Sequence, residues 1–417
     1  MFDSALIAST AAVVALCTEL GRVWSWGDNS RGQLGQGLSA AALASDSALQ
    51  TSPALIPSLA ARRCSWVSAG WSHSACILDS IAAADNAGST LFTFGCNARS
   101  QLGLGTASSS KQLPRLDQPT EVVALRGPGV AQVACGGRHT LVLTNEGRVC
   151  AFGDNAHGQL GVGDLQSKAQ PTTVKAFTAE AAASADEPLL CSTVCAGWRH
   201  SLFVSLDRKS IHAAGSNSLG ELGIGIGAGE SSSSSSSSAS ARSSTKFSRP
   251  VPVRLPDAFN SSSSSIRRVS CGWSHNIVLS SSGELFGWGR ADFGALATKP
   301  TGTDAAAGVN AGEGGGGGSK SSKSVPLPVS ISLPASLAAE PSLALDVACG
   351  SEHTVLLTAT DVFVCGWNEH GNLGLGHNRD RNDEDTFAFT PIPQLHLDEP
   401  IPRRVVTGGA AVMILEP

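Results

Sequence analysis

Five histidines of the chain stand in one setting. Each closes a Gly-x-x-His tetrad between two short apolar runs: VSAGWSHSACIL (67–78), VACGGRHTLVL (133–143), VCAGWRHSLFV (194–204), VSCGWSHNIVL (269–279) and VACGSEHTVLL (347–357). Imidazoles could hold a metal or move protons, but both tasks need side chains that converge on one point. Positions equivalent by repeat are instead distributed around an array. His73, His139, His200, His275 and His353 therefore read as hydrogen-bonding residues that lock each Gly-x-x-His turn to a neighbouring strand. A sixth copy, VVTGGAAVMIL (405–415), has alanine where the histidine would be.

A second motif alternates with the first. Gly21 to Gly35 reads GRVWSWGDNSRGQLG and Gly147 to Gly161 reads GRVCAFGDNAHGQLG. Four more segments are worn versions: LFTFGCNARSQLG (91–103), IHAAGSNSLGELG (211–223), ELFGWGRADFGALA (284–297) and VFVCGWNEHGNLG (362–374). The glycines invite comparison with a phosphate-binding loop. That chemistry needs a helix N-terminus after the loop and a Lys-Ser/Thr pair to close it, and neither follows here. Asn29, Asn97, Asn155, Asn217 and Asn368 read instead as turn residues that bond their own backbone.

The informative variables are the two positions inside each Gly-x-x-His. They are Trp71-Ser72, Gly137-Arg138, Trp198-Arg199, Trp273-Ser274 and Ser351-Glu352. A tryptophan in a turn is costly to leave in water, and Trp and Arg are the residues most enriched at binding hot spots. Trp71, Arg138, Trp198, Arg199 and Trp273 are thus candidate partner-binding residues on one face; the plainer alternative lays each indole flat over its own repeat. No carboxylate dyad and no nucleophile–histidine–acid set stands out. No catalytic residue, cofactor site or metal site is assigned, and enzymatic activity is not expected.

The elements that must position these residues are short. Apolar runs of four to six residues end in Gly, Asn, Asp or Ser, which reads as hairpin-connected β-strands. Equivalent glycines (Gly27, Gly95, Gly153, Gly215, Gly289, Gly366) recur at spacings of 58 to 77 residues. Each repeat reads strand, Gly-turn, strand, tight turn, strand, then G-x-N-x-x-G-x-L-G. Such a unit cannot bury its faces alone; arranged around an axis, each sheet packs on the next and the ring closes as a β-propeller. The fold class is all-β, with six or seven blades. Val405–Leu415 supplies a strand pair without the following hairpin and Gly21–Gly35 supplies the hairpin, so closure is expected by pairing of the N- and C-terminal strands in one blade. Residues 4–17 align weakly as a further strand pair.

The chain has 417 residues and a net charge of −5 from 29 basic and 34 acidic side chains. No long basic run exists to displace counterions, so direct nucleic-acid binding is not expected. The apolar stretch 4–17 is too short to span a bilayer, and Asp3 precedes it where a signal peptide would carry positive charge. A soluble intracellular protein is expected. Eleven cysteines include Cys135, Cys271 and Cys349 at one repeat position, where Ala69 and Ala196 stand in the other copies. Interchange with alanine means small and buried, and a disulfide framework is not expected. Three inserts fall outside the repeats, at about 228–248, 261–265 and 301–324, rich in serine or glycine. Their composition reads as flexible loops on a single propeller domain spanning 1–417.

The paired motifs resemble the repeats of the regulator of chromosome condensation (RCC-type) superfamily of β-propellers, over nearly the whole chain. The resemblance implies a non-enzymatic partner protein, and three functional classes within the superfamily bear on it. One is guanine-nucleotide exchange on a Ran-like small GTPase, whose chromatin-bound members carry a basic N-terminal tail not seen here. Another is the plant UV-B photoreceptor with G-W-R-H-T motifs. Only Gly197–Ser201 (GWRHS) approaches that motif, and the other Trp copies lie in non-adjacent repeats, from which a tight Trp cluster is not expected. The third is the fungal α-tubulin suppressor or killer-toxin-insensitivity propellers, whose ends are similar to CGWNEHGNLG (365–374) followed by TGGAAVMIL (407–415) in this chain. That likeness implies a small CSL-type zinc-finger protein of diphthamide synthesis as partner and, through it, support of Elongator-dependent tRNA wobble-uridine modification and of diphthamide formation, in cytoplasm and nucleus.

Overall fold

A computed structural model describes residues 6–9, 13–17, 21–37, 49–79, 88–105, 115–175, 189–225, 245–260, 264–298, 324–334, 337, 344–359, 361–368, 373–375, 385–392, 404–408 and 411–415. They form six four-stranded antiparallel sheets and one two-stranded sheet. Blade 1 holds β1 (Leu6–Ser9), β2 (Val13–Cys17), β3 (Val23–Asp28) and β4 (Leu49–Leu55). Blade 2 holds β5 (Cys64–Ala69), β6 (His73–Leu78), β7 (Thr90–Cys96) and β8 (Arg115–Glu121); blade 3 holds β9 (Val130–Cys135), β10 (His139–Thr144), β11 (Val149–Gly153) and β12 (Lys168–Thr173). Blade 4 holds β13 (Cys191–Ala196), β14 (His200–Ser205), β15 (Ile211–Ser216) and β16 (Lys246–Pro252). Blade 5 holds β17 (Ile266–Cys271), β18 (His275–Ser280), β19 (Leu285–Arg290) and β20 (Ser324–Ile331); blade 6 holds β21 (Ala344–Cys349), β22 (His353–Thr358), β23 (Val362–Gly366) and β24 (Thr386–Pro391). The last sheet pairs β25 (Arg404–Gly408) with β26 (Ala411–Leu415). The only helical turns among the described residues are short 3₁₀ pieces at Pro57–Leu59, Val123–Leu125 and Asp257–Asn260.

The second strand of a blade is buried on both faces: every residue of β6, β10, β18 and β22 is buried. This explains why these runs read as continuous apolar stretches and not as an alternation. The apolar side chains pool between blades. One core joins blades 4 and 5 through Leu202, Val204, Phe247, Val269, Phe286 and Trp288; another joins blades 2 and 3 through Ile77, Leu91, Val133, Val142 and Phe152. Full burial of each such side chain contributes roughly 1.5–3 kcal/mol, so each joint is a small core in its own right. The innermost strands are also tied to their neighbours. The Gln132 amide both donates to and accepts from the Val194 backbone, and Trp66 Nε1 donates to Val133 O at 2.9 Å.

Closure differs from the expected split blade. β3 completes its sheet with β2, in register from Val13↔Gly27 to Cys17↔Val23, and not with the C-terminal pair. The reason is chain entropy: a hairpin across residues 18–22 closes a short loop, whereas joining the two chain ends closes the longest. Among the described residues β25 and β26 hydrogen-bond only to each other, and they pack beside β21 and β22 on one side and β1 on the other. The ring is six complete blades with a two-stranded sheet at the junction of its ends. Within the stretch 4–17, Leu6–Ser9 and Val13–Cys17 are the first two strands of blade 1. The serine- and glycine-rich inserts lie largely outside the described residues; within their bounds, residues 246–248 and Ser324 belong to strands β16 and β20, and Ser264 is buried.

Candidate functional site

Each of the five histidines opens the second strand of its blade and is fully buried. Four of them reach the next blade. His73 Nε2 lies 2.9 Å from Thr140 Oγ1, His139 Nε2 2.9 Å from Ser201 Oγ, His200 Nε2 2.7 Å from Asn276 Oδ1 and His275 Nε2 3.2 Å from Thr354 Oγ1. The acceptor is always the residue after that blade's own histidine. It hands the bond back: Thr140 donates to Gln101 O, Ser201 to Gln159 O, Asn276 Nδ2 to Glu221 O and Thr354 to Ala295 O, at 2.6 to 2.8 Å. Because the hydroxyls donate onward and the Asn276 oxygen can only accept, each imidazole donates from Nε2, and its burial favours the neutral form with the proton there. Burial pushes His73 and His200 down to about 4 and His139 and His275 to about 3. Consecutive strand residues point to opposite faces, so one dipeptide serves both neighbours of a blade. The expected locking role is what the geometry shows. The glycine of the tetrad makes room for the ring, since a Cβ at Gly70 would sit 2.5 Å from His73 Cε1.

The loop after the third strand lies at the same end of the blade, because His139 pairs with Gly153 and Asp154 N donates to Arg138 O. Gly153 takes a φ of 107°, a conformation open to glycine. The asparagines act as expected: Oδ1 of Asn29, Asn97, Asn155, Asn217 and Asn368 accepts from the backbone N–H of Leu34, Leu102, Leu160, Leu222 and Leu373, each leucine being fully buried. These are structural loops that anchor a leucine plug, and no phosphate cradle.

The Gly-x-x-His turns themselves are hydrogen-bonded in series around the axis. Trp71 N donates to Gly136 O, Gly137 N to Gly197 O, Trp198 N to Trp273 O and Trp273 N to Ser351 O, at 3.0 to 3.4 Å. Here the structure overturns the expectation that tryptophans from non-adjacent repeats stay apart. Trp71, Trp198 and Trp273, from blades 2, 4 and 5, form one cluster with ring centroids 5.0, 5.4 and 5.1 Å apart. Turns at the end of the innermost strands face one another across the axis, so distance around the ring is not distance between side chains. Blade 3 assists by what it lacks. A Cβ at Gly137 would meet Trp198 O at 2.6 Å and its ring at 2.9 Å, so the indole lies over that glycine. The alternative of each indole lying flat on its own blade does not describe this arrangement. Trp71 is 37% exposed and the other two are half-buried. Arg138 and Arg199 are exposed on the same set of turns. All five candidate residues thus lie at one end of the ring, three of them in direct contact.

Two neighbouring groups were not among the candidate residues. Glu352, in the blade 6 turn, is 6% exposed and pairs with Arg290 of blade 5 at 3.0 Å, while Arg290 also holds Asp292 at 2.7 Å and stacks on Phe293. Burial pushes the Glu352 carboxyl up to about 7 against the pull of Arg290. The second group is the loop slot two residues after Asn29, Asn97, Asn155, Asn217 and, in blade 5, Ala291; it is filled by Arg31, Arg99, His157, Leu219 and Phe293. Aligning the repeats exposes this slot directly. A cavity of about 260 Å³ lies among the inner strands, lined by Trp66, Gln132, Thr193, Cys195, Arg208 and Arg268. Arg268 is paired with Asp346 at 3.1 Å, and no nucleophile–base pair converges there among the described residues. No group of three or more potential metal ligands is present among them either.

Comparison with known proteins agrees with this architecture. The chain is 28% identical to the Arabidopsis thaliana ultraviolet-B receptor UVR8 over 278 residues, 66% of this chain and 50% of that protein. It is 26% identical to the Mus musculus secretion-regulating guanine nucleotide exchange factor over 438 residues, 93% of this chain and 81% of the relative. Among solved structures, yeast RCC1 (Prp20), bound to Kap60, superposes with a TM-score of 0.66 at 20% identity, covering 98% of this chain and 79% of that one. Human WBSCR16 superposes with a TM-score of 0.66 at 22% identity, covering 100% and 87%. The sequence profile of the RCC1-like domain matches residues 4–414, and the chain belongs to that family.

Proposed function

We propose that the protein is a non-catalytic docking propeller whose tryptophan-bearing axial end binds a protein partner. The observation that carries this reading is the Trp71–Trp198–Trp273 cluster, with centroids 5.0–5.4 Å apart at a partly exposed surface flanked by Arg138 and Arg199. A large apolar surface held in place by a rigid ring of turns loses little entropy on docking. Two partner classes have support. The name of the mammalian relative, a secretion-regulating guanine nucleotide exchange factor, supports a small GTPase. The likeness of 365–374 to the fungal propellers supports a CSL-type zinc-finger protein of diphthamide synthesis, with Elongator-dependent tRNA modification downstream and a place in cytoplasm and nucleus. Affinity capture on the wild-type protein and on Trp198→Ala/Arg199→Ala, read by mass spectrometry, tests both. Loss of one partner in the variant, with an unchanged melting curve, supports docking at this end. An unchanged partner set refutes it. Faster nucleotide release from a captured GTPase would assign exchange activity.

The same cluster favours a second reading, absorption of ultraviolet light, because coupled indoles also occur to the eye of a chemist as a chromophore and the chain resembles an ultraviolet-B receptor. Illumination of purified protein in the indole band should then change its association state reversibly. An unchanged elution volume after illumination removes this reading and leaves docking intact.

A further inference from the structure

We infer that the partner docked at this end presents an acidic segment with an aromatic or aliphatic tip; the inference rests on the docking reading above. The charge on this end is lopsided. Arg31 and Arg99 fill the loop slot on blades 1 and 2, and Arg138 and Arg199 fill the turn slot on blades 3 and 4. All four are exposed, and among the described residues none of their guanidinium groups forms an ion pair or a side-chain hydrogen bond. His157 joins the same arc: it feels the charges of Arg199 and Lys246, which with burial hold it below the usual imidazole range.

Most acids of this end are already engaged; the exception is Asp154 in the blade 3 loop, half-buried beside His157, which among the described residues accepts only from Ala156 N at 3.4 Å. Asp28 accepts from Ser30 N, Ser30 Oγ and Gln33 Nε2, and Asp292 and Glu352 share Arg290. Blades 5 and 6 are therefore neutralised internally, while the arc on blades 1 to 4 sets four unpaired guanidinium groups against the carboxylates of Asp28 and Asp154, on a chain whose net charge is −5. The loop slot turns apolar where the arc ends, at Leu219 and Phe293. The surface offers an apolar centre, the three indoles, beside a basic arc. Guanidinium groups match carboxylates bidentately, and fixed charge of one sign steers a partner of the other. A second copy of the chain in two-fold contact would set arc against arc, so a different, acidic partner is the better fit.

The test uses the full chain and three synthetic probes: poly(Glu,Tyr), poly-Glu and poly(Lys,Tyr), with indole emission as readout. Poly(Glu,Tyr) should bind most tightly, poly-Glu more weakly for want of an anchor, and poly(Lys,Tyr) not at all. The variant Arg31→Glu/Arg99→Glu/Arg138→Glu/Arg199→Glu keeps all three indoles; near-native circular dichroism confirms its fold. It should lose about thirtyfold or more in affinity for poly(Glu,Tyr), and raising salt from about 0.05 to about 0.5 M should weaken the wild type about tenfold. Binding that ignores the charge reversal, or absence of binding by every probe, overturns the inference. Binding of poly(Lys,Tyr) instead overturns the acidic class while leaving docking at this end standing. A salt-insensitive self-association through this face replaces the acidic partner with a second copy. Failure of docking itself is read separately, from the Trp198→Ala/Arg199→Ala capture.

Discussion

Acid should open this ring well above the pH at which surface carboxylates titrate, and the interblade histidines set where. Each of the four is buried neutral in the fold, at about 4 for His73 and His200 and about 3 for His139 and His275. In the unfolded chain an imidazole takes its proton near pH 6.5. The folded values are depressed, so the stability the histidines contribute is complete above about pH 6.5 and is lost as pH falls toward 4 and 3. Two groups work the other way: burial raises the carboxyls of both Glu221 and Glu352. Glu352, raised to about 7, binds its proton earlier in the fold than in the unfolded chain, so its contribution grows as pH falls from 7 to its unfolded value near 4.5. At about 1.4 kcal/mol per unit per group, the loss from the four histidines, less the gain from Glu352, is about 4 kcal/mol by roughly pH 5.5 and about 8 kcal/mol by roughly pH 4.5. Set against a total stability of about 5–15 kcal/mol, that places an acid midpoint near pH 5 for a domain at the lower end. The assay is urea unfolding at a series of pH values. Its slope should correspond to a net uptake of about three protons on unfolding between roughly pH 6 and pH 5. In His139→Gln the amide can still donate to Ser201 Oγ but does not titrate, so the slope should fall by about one proton whatever the variant's stability at neutral pH. An unfolding free energy that is flat from pH 7 to pH 5, or an unchanged slope in the variant, would refute the neutral interblade network.

Four further outcomes follow from the same geometry. Gly137→Ala should push Trp198 off its glycine and abolish the indole exciton couplet in circular dichroism, at a cost of about 1–3 kcal/mol; a retained couplet contradicts the clearance argument. Gly70→Ala should destabilise by about 3 kcal/mol or more, because the ring it displaces is buried on every side, and a melting temperature within error of wild type would count against it. Asn155→Ala removes the acceptor for Leu160 N and should cost about 1–3 kcal/mol by denaturant titration, whereas a surface-like loss below about 0.5 kcal/mol would show the loop is held by other means. Deleting 405–417 removes the two-stranded sheet that packs between blade 6 and β1, and should broaden or split the thermal transition; a single unchanged transition would mean the ring holds without it.

The ring and its joints were largely legible in the sequence because both are written in every repeat. The Gly-x-x-His tetrads and the G-x-N-x-x-G-x-L-G loops recur often enough that a structural role for His139 or Asn155 could be separated from chemistry. What the sequence withheld was geometry across the axis. Trp71 and Trp198 lie 127 residues apart in non-adjacent blades, yet touch, because the smallness of Gly137 matters as much as the presence of either indole. Closure was hidden for a different reason. The pair Val13–Cys17 and Val23–Asp28 lacks the histidine signature, with Val13 opposite Gly27, so the first blade looked like half of a blade completed by the other end of the chain. The basic arc of Arg31 and Arg99 is visible only when the loops are aligned, because an arginine in a single exposed turn is the ordinary content of a solvated surface.

The histidine and the residue after it give the central repeats a plug and a socket on one dipeptide. His139-Thr140, His200-Ser201 and His275-Asn276 each offer a donor to the blade ahead and an acceptor to the blade behind. A gene segment encoding one repeat therefore carries both halves of its couplings, and its neighbours need no compensating change. Duplication or loss of one of these repeats by recombination leaves the new junction chemically complete, and Asn276 shows that the socket accepts an amide as readily as a hydroxyl. Blade number is then free to drift in evolution, while the substitutions that give one ring its individuality accumulate at the two turn positions that the coupling does not use.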